Sequence, residues 1–233
     1  MLSIHLVADL FMDRPVTPEA PAITTDIVLF TLRDDALQVL LIRRRNDPFK
    51  GTWALPGGFI EPDEPLEDGA ARELKEEAGI GGVYLEQLCT FGRPDRDPRQ
   101  RVISVAYYAL APADELTPRA ASDAEAVGWF PLDDLPLLAF DHDEIVATAR
   151  ERLAAKLHYS TIAFQFLPEQ FTLGDLQQVY ETILNRPLDK RNFRKRMLAI
   201  NLIEATHDER RNGNHRPARL YTARNPGEVE IIK

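Results

Sequence analysis

The chain has a single cysteine, Cys89, in 233 residues. No intrachain disulfide framework can form, and a reducing cytoplasm is the simplest location. No apolar run approaches the length needed to span a bilayer, so no membrane partner is expected. The opening MLSIHLVADLFMDRP carries His5 and Asp9 and has no basic lead, so it does not read as a secretory signal. Basic charge is also scarce: 28 Lys and Arg stand against 37 Asp and Glu, a net −9. The deficit is uneven. Residues 160–233 hold 12 basic and 9 acidic side chains, a surplus of +3, and the remainder holds 16 and 28, or −12. Such asymmetry argues for two modules with different partners. The acidic module should not attract nucleic acid unaided and would attract metal ions.

What is present is an acidic segment from Gly58 to Ile80, GFIEPDEPLEDGAARELKEEAGI. Glu73, Glu76 and Glu77 stand at i, i+3 and i+4 and share one helix face. Like charges at that spacing repel, so something positive must sit between them. Carboxylate oxygens are hard ligands and suit Mg²⁺ or Mn²⁺. Pro65 suits the first helical position, Leu66, Ala70, Leu74 and Ala78 form an apolar line, and Gly79 is the natural stop. Upstream, residues 53–55 read as a short strand, and Pro56-Gly57-Gly58 lets the backbone approach a ligand closely.

Residues 1–22 form a lead-in, Pro-rich from 13 to 22. The β-rich runs 23–32 and 37–42 read as a hairpin, with further strands over 83–91, 101–110 and 127–130. The run VISVAYYAL is nearly continuous in apolar and aromatic residues, as a central strand would be. Ile145, Ala149, Leu153 and Leu157 predict a helix over 143–157, where Asp141 and His142 would cap rather than ligate metal. Asp123 and Glu125 offer either an extra carboxylate acting on water or a plain acidic loop. Arg43, Arg44 and Arg45 end a strand, and alternation would put Arg43 and Arg45 on one face, toward a substrate. Arg93, Arg96 and Arg99 lie in an arginine-rich loop between two strands. Arginine forks suit a pyrophosphate; the alternative is a hairpin whose charges pair among themselves.

After about residue 159 the pattern changes. Helices are predicted over 173–184 and 190–200, the first ended by Pro187 and the second capped by Asp189. Strand-like pieces follow at 202–206 and 218–222, around a polar loop. Helix, turn, helix and hairpin make the outline of a winged helix. Its second helix carries Lys190, Arg191, Asn192, Arg194 and Lys195, and the wing carries Arg216. These residues suit duplex DNA; the alternative is a solvated basic face that mediates dimer contacts.

Gly58, Glu64, Arg72-Glu73-Leu74, Glu76-Glu77 and Gly79-Ile80 match the Nudix box at each defined position, and the chain resembles the Nudix hydrolases. The resemblance implies an α/β (α+β) Nudix fold with a mixed sheet between helices, and hydrolysis of a nucleoside diphosphate linked to another group. It also implies roles: Glu76, Glu77, Glu73 and the Gly58 carbonyl toward the metal, Glu73 alternatively as base, Arg72 and Glu64 orienting them. The arginine loop is similar to that of ADP-ribose pyrophosphatases. The tail resembles the winged helix of the Nudix-related transcriptional regulators of NAD metabolism, which bind ADP-ribose and operator DNA. The expected protein is therefore a homodimer with a Nudix domain over 23–158 and a winged helix over 159–233. Its expected activity is Mg²⁺-dependent cleavage of ADP-ribose or a related NAD-derived compound. The other reading is an ADP-ribose-sensing regulator with little or no turnover.

Overall fold

The computed structural model describes residues 20–113, 124–211 and 217–232. The lead-in to residue 19, Asp123 and Arg216 lie outside them. The β-branched run ITTDIVLF forms strand β1 (Ala22–Arg33), which turns into β2 (Ala36–Arg44). Asp34 and Asp35 make the turn, both at positive φ (52° and 57°), as the central pair of a type I′ hairpin turn must be. β3 (Trp53–Ala54), β4 (Gly57–Phe59), helix α1 (Leu66–Ala78), β5 (Tyr84–Phe91), β6 (Val102–Leu110), β7 (Ala124–Pro131) and helix α2 (His142–Lys156) follow.

The sheet order is β3-β2-β1-β6-β5, with β4 added to β1 and β7 to β2. The β1–β6 pair is parallel and the other pairs are antiparallel, so the sheet is mixed. β6 carries VISVAYYAL and pairs on both sides. It is almost wholly apolar because both sheet faces are covered. Ile27 and Leu29 of β1 pack with Ala70, Leu74 and Ala78 of α1 on one face. Val28 and Phe30 pack with Ile145, Ala149 and Leu153 of α2 on the other.

The tail begins with a 3-10 helix (Ile162–Phe166) and β8 (Phe171–Thr172). Helices α3 (Leu173–Leu184) and α4 (Lys190–Ala199) and strands β9 (Ile203–Arg210) and β10 (Ala218–Ala223) complete it. Its sheet has the order β8-β10-β9, giving a helix-turn-helix with a wing. α3 starts in a full capping box: Thr172 accepts from the Asp175 N–H, and Asp175 accepts from the Thr172 N–H. It ends at left-handed Asn185, two residues before Pro187. Asp189 caps α4, accepting from the Asn192 N–H at 2.8 Å.

Several element limits depart from the sequence reading. Pro65 is the residue before α1, not its first member. α4 stops one residue short of 200, and β7 and β9 run longer than read. The core facing α2 does not stop at the module boundary. It continues from Val28 and Phe30 through Leu153 and Leu157 to Leu176, Val179 and Ile183 of α3 and Phe193 and Met197 of α4. The chain also returns to the junction: the Thr161 N–H donates to the Glu230 carbonyl (2.9 Å) and the Ile232 N–H to that of Tyr159 (2.7 Å).

Candidate ligand cavity and nucleic-acid interface

A cavity of about 200 Å³ opens where the end of β2, the Gly57-Gly58 turn and the 91–101 loop meet. Arg44, Arg45, Arg96 and Arg99 line it together with Asp26, Asp97 and Glu77. Gly57 must be glycine here, because a Cβ would stand 2.1 Å from the Thr25 carbonyl oxygen.

Beneath the cavity lies a buried charge network. The Arg96 guanidinium donates to both oxygens of Asp141 (3.1 and 2.7 Å) and to Asp26 Oδ2 (3.1 Å). The Ser104 hydroxyl also donates to Asp26. His142 Nδ1 accepts from the Leu55 N–H at 2.8 Å, so a neutral ring carries its proton on Nε2, which faces Asp26 Oδ1 at 3.4 Å. Burial pushes the His142 pKa down and favours that neutral form. Burial, assisted by the Arg99 charge, likewise lowers the Arg44 pKa.

Arg72 gathers the carboxylates of α1. It binds Glu64 through two nitrogens (2.7 and 2.9 Å), donates to Glu73 (2.7 Å) and Glu76 (3.2 Å), and reaches the Phe59 carbonyl (3.2 Å). The positive charge that the acidic face requires is thus supplied from within the chain. The Arg72 hydrogen bond holds Glu64 below the usual carboxylate range. Burial pushes Glu73 up against the opposing effect of Arg72. Glu77 turns away, is buried, and accepts from the Gly57 N–H at 2.8 Å. A Cβ on Gly58 would meet Glu73 Oε1 at 2.4 Å, so a larger residue there would force the Glu73 carboxylate to move. Among the described residues no three His, Cys, Asp or Glu side chains converge as a metal site. The donors of Glu73, Glu76, Glu77 and Gly58 are nonetheless of the hard oxygen type that Mg²⁺ takes.

On the tail, Lys190, Arg191, Asn192, Arg194 and Lys195 are all exposed along α4. Lys190 and Arg194 line one groove with Arg219 of β10. Asn192 instead lines a groove on the opposite flank, with Phe193, Arg196 and His158. Arg210 of the wing is held by Asp175 at 2.6 Å.

The NUDIX domain model matches residues 23–149. The chain belongs to the Nudix family. A second model, the NrtR DNA-binding winged helix domain, matches residues 163–223 of this Nudix chain. It is 39% identical over 206 residues to the "ADPR responsive transcriptional repressor NtrR" of Acinetobacter baylyi, covering 87% of this chain and 82% of that protein. It is 41% identical over 126 residues to an ADP-ribose pyrophosphatase of Methanocaldococcus jannaschii, covering 54% of this chain and 71% of that one. Among solved structures it resembles Shewanella oneidensis NrtR complexed with a 27mer DNA. The TM-score is 0.77 at 40% identity, covering 87% of this chain and 93% of that chain.

The Nudix cavity corrects part of the arginine reading. Arg43 does not face it: its side chain goes to the Gly51 carbonyl and to Glu125 (3.8 Å). Strand alternation holds, but its phase puts Ile42 and Arg44 on the cavity side, and Arg45 lines it from beyond the strand end. Arg93 is at the surface, paired with Glu144 at 2.8 Å. Of the loop arginines, Arg96 and Arg99 line the cavity; Arg96 is engaged by Asp26 and Asp141, and Arg99 by Asp97. Asp141 does not cap α2 with its side chain, and His142 binds backbone. Asp26, Arg44 and Asp97 are among the cavity residues that the sequence reading missed. Asp26 had a signal, an acidic residue inside the apolar run ITTDIVLF.

Proposed function

We propose that this Nudix chain is an ADP-ribose-responsive DNA-binding regulator, with a ligand-binding module over residues 23–158 and a winged helix over 159–233. The observation that carries the reading is the single hydrophobic core joining the ligand-side sheet to α3 and α4. A ligand that alters packing around α2 acts on the same body that carries the DNA-facing helix, which coupling requires. The name of the Acinetobacter relative supports the same reading. In the cavity, Arg44 and Arg45 would meet the anionic diphosphate, with Arg99 on the cavity wall beside them. On the tail, Lys190, Arg191, Arg194 and Lys195 would meet duplex DNA, with Asn192 on the far flank and Arg216 in the wing loop. Two tails on a homodimer would read half-sites about one helical turn apart, or a multiple of it.

Turnover is the second reading, favoured by the full set of Nudix carboxylates. Glu73, Glu76, Glu77 and the Gly58 carbonyl would hold Mg²⁺ or Mn²⁺. When bound, such an ion neutralises diphosphate oxygens and lowers the pKa of a bound water. Glu64 would keep Arg72 in position throughout.

The test is a gel-shift assay at low salt on the protein's own upstream region and on promoters of NAD-related genes, with and without ADP-ribose. A sequence-specific shift that ADP-ribose alters is expected. No specific shift on any fragment would reduce the tail to an interaction module. AMP release from ADP-ribose with Mg²⁺ separates the second reading from pure sensing.

A further inference from the structure

One large apolar side chain in the charged cavity lacks cover. Phe59, at the end of β4, lines the cavity and is 44% exposed. An exposed aromatic ring is unremarkable on an open surface, but this one sits among arginines and carboxylates that would bind an anion. Its position is fixed at three points. Its backbone pairs with Thr24 of β1, its carbonyl accepts from Arg72, and the Arg99 guanidinium lies over its ring, 5.7 Å from the centroid. Arg99 is itself held by two bonds to Asp97 (3.0 and 2.7 Å). A ring held this way, with a cation against one face, is a preorganised stacking surface for a planar group on the other.

The other cavity phenylalanine does not offer this. Phe140 is enclosed by Arg44 (4.8 Å to the centroid), Phe49 (4.8 Å) and His142 (5.3 Å), and serves as wall. Beside Phe59, Thr24 also lines the cavity, and its buried hydroxyl has no hydrogen-bond partner among the described residues. A χ1 turn that brings this hydroxyl to a ligand would therefore break no bond.

We infer that Phe59, backed by Arg99, is the nucleobase platform of the cavity and a specificity-determining residue for its ligand. This rests on the ADP-ribose reading above and assigns the ligand's orientation within it. The adenine stacks on Phe59 beside Thr24, and the diphosphate extends across the Gly57-Gly58 turn toward Arg44 and Arg45.

Calorimetric titration of the full chain with ADP-ribose tests it, using wild type, Phe59→Ala and Phe59→Trp. Loss of the ring should weaken binding roughly tenfold. The Trp variant should keep wild-type affinity, and its added fluorescence should be quenched by ADP-ribose beyond the change seen in wild type. Phe59→Ala binding within twofold of wild type would overturn the inference. So would Phe59→Trp failing as Phe59→Ala does, or keeping its added emission unquenched at saturation. A wild-type chain that does not bind ADP-ribose would overturn the ligand reading itself, and this inference with it.

Discussion

At the scale of single side chains, the cavity floor depends on Arg96. It is buried between Asp26 and Asp141, and each carboxylate has lost water to reach it. Arg96→Ala would leave two buried negative charges without their cation, so we expect a loss of about 3–5 kcal/mol in urea unfolding. His142 adds a pH term. Its folded pKa lies below the ordinary value of about 6.5, so the unfolded chain takes the proton first. Its contribution is whole above about pH 6.5 and is lost as pH falls toward the lowered value. The stability difference between wild type and His142→Asn should therefore shrink between about pH 7.5 and 5.5 in paired urea titrations. Little of this network was legible in the sequence. Asp26, Arg96 and Asp141 lie far apart in the chain and meet only through the β1–β6 pairing and the start of α2. The carboxylates of α1 were legible because one helix face places them together without any tertiary information.

At the scale of elements, α3 and the wing share one carboxylate. Asp175 closes the Thr172 capping box and also holds Arg210 of β9. Thr172→Ala should cost about 1 kcal/mol, the ordinary value of an N-cap, and Asp175→Ala measurably more in the same unfolding assay. α4 presents two flanks. Arg194→Ala should weaken specific DNA binding by about 1–3 kcal/mol and relax preference at one base pair, as read by fluorescence anisotropy. Asn192→Ala, on the other flank, should leave operator affinity nearly unchanged. Helices α1, α3 and α4 were readable because each combines a periodic apolar face with an end signal, Gly79, Pro187 or Asp189, and α2 was readable from its apolar stripe alone. β8 was not, since two residues carry no alternation. β9 ran past its reading because both of its faces are largely exposed, and a polar strand has no hydrophobic pattern to mark its end.

At the scale of the whole molecule, charge asymmetry announced two modules, and the stripes on α2 and α3 announced buried faces. Nothing in either pattern says that those faces bury each other, because periodicity identifies a buried side and not its partner. The junction is closed by the return of the chain: Glu230 and Ile232 bond to Thr161 and Tyr159, including the Glu230 N–H on the Thr161 hydroxyl (2.8 Å). Deleting residues 228–233 removes these bonds and should cost about 2–4 kcal/mol, at roughly 1 kcal/mol per hydrogen bond, with faster proteolysis at the junction as the readout. The same closure has a use in protein engineering. Polypeptide fused after the final residues would emerge beside the junction between the modules, where Ile232 bonds to Tyr159. A fluorophore attached there would report on any change at that junction.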